Sequence, residues 1–261
     1  LEVFLKGEAV KSYVRNRSSL TFDWSGLTKT GELGHLMANE LLCDQYDIPD
    51  IEWDRETTRL WFNNGFTVDE SSFKKGEDIC PPGSVVVYTD GSRIKDGGEA
   101  HVGCGFLVTR INAAGERTTV GHEAFHLKDH NSVYQAEVTA MERAAKHLAR
   151  NILKNPRRVY ILTDSKSALM SLQRHWQDKK SVNRLINSLN ELGSQVSVTL
   201  RWVKAHSTCE GNNTADQLAK CGALPAQAQA QGVGVRTVTD VPAPYSHLTN
   251  LVEKGICDLW K

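Results

Sequence analysis

Two short apolar runs, Val85-Val86-Val87-Tyr88 and Val159-Tyr160-Ile161-Leu162, each lead into Thr-Asp followed by a small residue. Between them, Asn131 to Arg150 is rich in Ala, Glu, Lys and Leu and contains no Gly or Pro. Apolar runs of this length with β-branched and aromatic residues read as buried strands. The segment between them reads as a helix of about five turns at 3.6 residues per turn. His101 to Val108 and Thr118 to Phe125 add two strands that form a meander with the first, and Val196, Val198, Leu200 and Trp202 alternate as a half-buried strand. Ser165 is placed to cap a helix from near Lys166; further helices are expected over Val182 to Leu192 and Asn212 to Cys221. The expected fold class is α/β, a five-stranded mixed sheet flanked by helices.

Outside that block the pattern changes. Leu1, Leu5, Val10, Tyr13 and Val14 share a helical face, whereas Pro81-Pro82-Gly83 breaks the chain. We therefore expect a helix-biased segment over 1–83, the main domain over 84–223, a linker over 224–244 that holds Gln227-Ala228-Gln229-Ala230-Gln231, and a helical tail over 245–261. With 40 % hydrophobic and 24 % charged residues the composition is that of a globular chain, and no apolar run is long enough to span a bilayer, so no membrane partner is expected. Lys plus Arg equal Asp plus Glu at 31 each, so any nucleic-acid binding must come from a local surface. Six scattered cysteines without a Cys-x-x-Cys pair, and a start at Leu1 without a basic and apolar leader, suggest a fragment of a longer intracellular protein, cytoplasmic or nuclear.

Asp90 and Asp164 are expected at strand exits, where loops open a crevice in α/β sheets. Asp also terminates strands for purely conformational reasons, so one such residue alone says little. Glu137 says more. The apolar stripe of its helix runs Val133, Glu137, Met141, Ala144, Leu148, which puts a carboxylate where the core should be. A buried carboxylate needs a cation, a set of donors or its own proton; the alternatives are a buried salt bridge or a metal shared with Asp90 and Asp164. A fourth segment, His206 to Asp216, presents His206 and Asp216 from one loop and the start of a helix. Gly103 and Gly105, a Gly-x-Gly with no helix after it, read as close packing in a strand.

In chain order, Tyr88-Thr89-Asp90-Gly91-Ser92, Gln135-Ala136-Glu137, Thr163-Asp164-Ser165, Trp202-Val203-Lys204-Ala205-His206 and Gly211-Asn212 with Ala215-Asp216 resemble the ribonuclease H family, over about residues 84 to 223. The Ser-Val-Tyr-Gln-Ala-Glu segment is most similar to the ribonuclease H domain of non-LTR retrotransposon reverse transcriptases. The resemblance implies a ribonuclease H-like fold and an endoribonuclease that hydrolyses the RNA strand of RNA/DNA hybrids to 5′-phosphomonoesters. It also implies that residues 1–83 connect to the polymerase part of a parent polyprotein. It further implies two metal ions held by Asp90, Glu137, Asp164 and Asp216, with His206 assisting proton transfer or product release. Oxygen-only ligands suit Mg²⁺, with Mn²⁺ as a substitute.

Reading the RNA 2′-hydroxyl would fall to Gly91, Ser92, Ser132, Gln135 and Asn212, although Ser and Asn equally serve as helix caps. Arg174, Lys179, Lys180 and Arg184 could track phosphates, or simply form a solvated face. Two rivals remain at this stage: a non-catalytic nucleic-acid-binding scaffold of the same fold, and a DNA-strand-transferring transposase or integrase.

Overall fold

In the computed structural model the two Thr-Asp runs lie side by side as parallel strands. The structure describes residues 54, 58–59, 65–151, 158–174, 176–177, 179–205, 209–244, 246–247 and 250. In chain order the elements begin with β1 (Thr58–Arg59), β2 (Phe66–Asp69), α1 (Ser72–Lys75), β3 (Val85–Asp96), β4 (Glu99–Ile111), β5 (Arg117–Leu127) and α2 (Val133–Arg150). They continue with β6 (Arg158–Thr163), α3 (Lys166–Leu172), β7 (Trp176–Gln177), α4 (Lys180–Gly193), β8 (Ser197–Trp202), α5 (Glu210–Ala223), α6 (Pro225–Ala230) and β9 (Val235–Thr237). The described elements fall within a unit spanning Glu52–Asn250.

Among the described residues the main sheet has seven strands in the order β2-β8-β6-β3-β4-β5-β9, not the five expected. β3, β4 and β5 are antiparallel, and β6, β8 and β2 continue the sheet in parallel from β3. The two additional strands are its edges. β2 pairs Phe66 with Val198, and β9 pairs Val235 with Ala124. Both are short, and each finds its partner more than a hundred residues away, so no local periodicity announces them. β2 thus lies in the stretch read as helix-biased, and α6 and β9 lie in the stretch read as a linker. The tail from 251 and residues 1–53 lie outside the described residues. So do most positions between 55 and 64.

Alternation along β3 explains why its apolar run is continuous. Val85 and Val87 face the core shared with α2 and α4, while Val86 and Tyr88 face the smaller cluster under α5 with Ala215 and Leu218. The helix stripe is buried as read: Met141, Ala144 and Leu148 lie in the core, and only Val133, in the first turn, is exposed. On the opposite face α5 lies directly on β4, because Gly103 and Gly105 carry no side chains: a Cβ on Gly103 would sit 2.0 Å from the Ala223 nitrogen. The Gly-x-Gly is therefore a packing device.

Candidate active site

Three of the four expected carboxylates converge: Asp90, Glu137 and Asp164 each offer an oxygen within 4.8 Å of the others. Asp164 follows β6 directly, as expected, but Asp90 does not end its strand. β3 runs on to Asp96, paired with β4, whereas its pairing with β6 stops at Thr89–Thr163. Asp90 therefore stands where the parallel half of the sheet ends beneath it. Glu137 arrives from the second turn of α2, which presses against Gly91; a Cβ there would lie 2.5 Å from the Glu137 nitrogen. Gly91 also donates its N–H to Asp90 Oδ1 at 2.7 Å. Its role in this structure is to admit the helix and orient the carboxylate.

Ser132 and Gln135 form the capping box that starts α2: Gln135 N donates to Ser132 Oγ at 3.2 Å, and Ser132 N to Gln135 Oε1 at 3.1 Å. The Gln135 amide nitrogen is committed as well, to the Pro242 carbonyl at 2.9 Å and to Asp54 Oδ2 at 2.8 Å. Asp54 in turn accepts from Ser181 N and Oγ, both at 2.7 Å, tying the starts of α2 and α4 together. Ser165 occupies the N-cap of α3 but makes no side-chain cap bond; its N–H donates to Thr163 Oγ1 at 3.1 Å. Ser92 is half-buried on β3 opposite Gly103.

Asp216 stands on α5 close enough for its charge to act on Asp90, but outside the tight trio, and it pairs with Lys220 at 2.7 Å. Lys220 is one turn along the same helix, a spacing the sequence displays and the motif reading overlooks. Asn212 is buried and donates to Asp164 Oδ2 at 3.4 Å, while its Oδ1 is buried without a partner among the described residues. Trp202, also missed as a site residue, fixes the Asp164 carbonyl through its indole N–H at 2.9 Å. His206 lies outside the described residues. Of the expected phosphate track, Lys179 sits 3.9 Å over the Tyr134 ring and Arg184 bonds the Asp240 carbonyl, so both have structural partners.

Burial and mutual repulsion set the protonation of the trio. Burial above all, then the charges of Asp164 and Asp216, push Asp90 up to about 7. Glu137 is raised well above the carboxylate range by burial first, then by Asp90 and Asp164, and hydrogen bonding between the pair favours the proton on Glu137. Glu137 Oε2 is nevertheless buried with no hydrogen-bond partner among the described residues. Hard oxygen donors, an orphaned carboxylate oxygen and excess negative charge fit a divalent cation.

The raised values fix a sign. Without metal, the folded chain takes up protons before the unfolded chain as pH falls, so stability is gained below pH 7 and lost as pH rises through it. For Asp90 this amounts to at most about 4 kcal/mol, at about 1.4 kcal/mol per tenfold change in proton affinity. Thermal unfolding in chelator should give a higher Tm at pH 5.5 than at pH 8, and an added divalent cation should raise the Tm most at pH 8. A metal-free Tm that climbs over this range contradicts the assignment.

The sequence profile of the ribonuclease H family matches residues 82–224, more than half of the chain. The chain belongs to the ribonuclease H family. It is similar to the ribonuclease H of Schizosaccharomyces pombe (strain 972 / ATCC 24843), with 31% identity over 158 residues that make up 53% of this chain and 52% of that protein. The match thus spans about half the length of that relative. Among solved structures the chain is similar to the foamy viral protease-reverse transcriptase in complex with dsDNA, at 23% identity and TM-score 0.45, covering 56% of this chain and 99% of that one. It is also similar to RNase H1 from the halophilic archaeon Halobacterium salinarum NRC-1, at 19% identity and TM-score 0.41, covering 53% and 96%. The ribonuclease H stretch carries Asp90, Glu137, Asp164, Asn212 and Asp216. Asp54, β2 and β9, which also belong to the described unit, lie outside it.

Proposed function

We propose that this chain hydrolyses the RNA strand of RNA/DNA hybrids endonucleolytically, leaving 5′-phosphomonoesters, with two divalent ions, Mg²⁺ or in its place Mn²⁺. The observation that carries the proposal is the trio of Asp90, Glu137 and Asp164 around an orphaned Glu137 oxygen, in a chain of the ribonuclease H family. Asp90, Glu137 and Asp164 would hold the metal, and Asp216 would complete the set once it leaves Lys220. The bound ions supply activation of the attacking water and neutralisation of the leaving oxygen. The protein's own part is placement: Gly91 orients Asp90, Trp202 and Asn212 orient Asp164, and the sheet keeps the acidic groups out of bulk water. Asn212, with an unpaired buried carbonyl oxygen beside Asp164, is the best placed of the expected substrate contacts to accept from a 2′-hydroxyl. Ser132 and Gln135 are the least so, since the cap occupies them.

His206 assists proton transfer or product release, and the parent protein is an intracellular retrotransposon reverse transcriptase whose polymerase part is this domain's partner; the sequence resemblance supports both readings.

The test is cleavage of an end-labelled RNA/DNA hybrid with Mg²⁺, beside matched RNA and DNA duplexes, by the wild type and by Asp164→Asn. We expect metal-dependent cutting of the hybrid's RNA strand alone, lost in the variant. An intact hybrid that is still bound at high protein concentration identifies a scaffold instead.

A further inference from the structure

Asp78 precedes the family-matched stretch, which begins at residue 82, yet its carboxylate is the hub of a polar cluster at the start of α5. Arg117 grips it with two nitrogens, Nη1 to Oδ2 at 2.5 Å and Nη2 to Oδ1 at 2.9 Å, and Nη2 also donates to the Asp78 carbonyl at 2.7 Å. The Tyr88 hydroxyl donates to Oδ2 at 2.6 Å, and the Cys209 thiol reaches the same oxygen at 3.2 Å. These donors come from β5, from β3 and from the residue before α5.

Cys209 occupies the N-cap of α5, and its thiol reaches Asp78 Oδ2. Burial, reinforced by the charge of Asp78, pushes that thiol up to about 11, so it remains a donor at neutral pH. Gly211, in the first turn, lies flat on the Tyr88 ring, where a Cβ would be 2.3 Å from Cε2. Tyr88 is fully buried and stands two residues before Asp90 on β3. The same turn of α5 carries Asn212, bonded to Asp164, and the next carries Asp216, whose charge acts on Asp90.

We infer that Asp78 is a positioning residue for the carboxylate site: by anchoring Arg117, Tyr88 and Cys209 to one point it fixes where α5 begins against β3, and hence where Asn212 and Asp216 stand. It acts through α5 and does not touch the trio. A bidentate Arg–carboxylate pair with two further donors suits this role, because it defines position in more than one direction.

The inference rests on the proposed function only for its kinetic readouts. The test uses the full chain with Asp78→Asn, Asn212→Ala and the two combined. In the metal-free protein, hydrogen exchange over residues 210–216 should quicken about tenfold in Asp78→Asn while β6 keeps its protection. In hybrid cleavage, kcat/KM should fall about tenfold, and the metal concentration for half-maximal rate should rise several-fold. The double variant should be no slower than the slower single one, because both act through α5. Unchanged exchange and metal dependence, or effects that multiply, overturn the inference. Should Asp78→Asn not fold, Tyr88→Phe keeps the ring beneath Gly211, removes one bond to Asp78 and is read the same way. A wild type that cuts no hybrid removes the proposed function, and the exchange measurement then decides the inference alone.

Discussion

Glu137→Gln should cut hybrid about 10³-fold more slowly than the wild type and, without metal, should melt at a higher temperature. The two signs have one cause. Gln keeps the shape of the side chain but not its charge, and the charge is what burial, Asp90 and Asp164 all oppose. Removing it relieves the metal-free site, where Glu137 already carries a raised pKa and an orphaned oxygen. The same removal takes away a ligand that would stabilise charge in the transition state; 10³-fold corresponds to about 4 kcal/mol, the upper range for losing one such electrostatic contact. Measuring kcat on the hybrid and Tm in chelator for both proteins decides it. A variant that retains its rate, or that melts below the wild type in chelator, shows that Glu137 is a structural carboxylate. Destabilisation relieved at the expense of activity is what a functional charge in a hydrophobic frame should give.

The trio was legible in the sequence because two local rules coincide at each residue. Asp90 and Asp164 follow β-branched runs too apolar to be loops, and Glu137 interrupts a stripe whose remaining members are almost all buried. The close packing of Gly103 and Gly105 was legible for a similar reason: no helix follows to make them a phosphate loop. What escaped depends on distant partners. β2 and β9 are too short to show a period and become strands only because β8 and β5 offer them edges. The apolar run stops before Asp90, which predicts a strand exit there, but β3 continues on the pairing of polar residues with β4. Ser132 fits both a substrate contact and a helix cap at sequence level, and the geometry shows a capping box with Gln135. Asp54 and Asp78 carry no local signal at all. Each is an acidic residue in a polar stretch, given its role by donors brought from other elements.

Gly103→Ala should destabilise the protein by about 4 kcal/mol, in the range of severe overpacking, and lower its Tm by about 8 to 16 °C for a domain of this size. The added methyl would meet the Ala223 nitrogen at 2.0 Å, the Gly222 carbonyl carbon at 2.2 Å and the Ala219 oxygen at 2.6 Å. All three are backbone atoms, so no rotamer change relieves the clash, and α5 must shift bodily off β4. Gly105 and Gly222 also hold α5 close to the sheet, where a Cβ would lie 2.6 Å from the Leu218 Cβ and 2.3 Å from the Phe125 oxygen, leaving the helix little freedom to slide. Because α5 also carries Asn212 and Asp216, activity measured well below the Tm should fall with stability, in contrast to Glu137→Gln. Gly121→Ala is the matched control: it lies on β5 with nothing among the described residues within 4 Å of the added methyl and should shift stability by no more than about 0.5 kcal/mol. Equal Tm values for the two alanine variants would mean that α5 does not pack on β4 through these glycines. A Gly103 variant that is much less stable yet fully active would separate the seam from the site and assign Asn212 and Asp216 no part in catalysis.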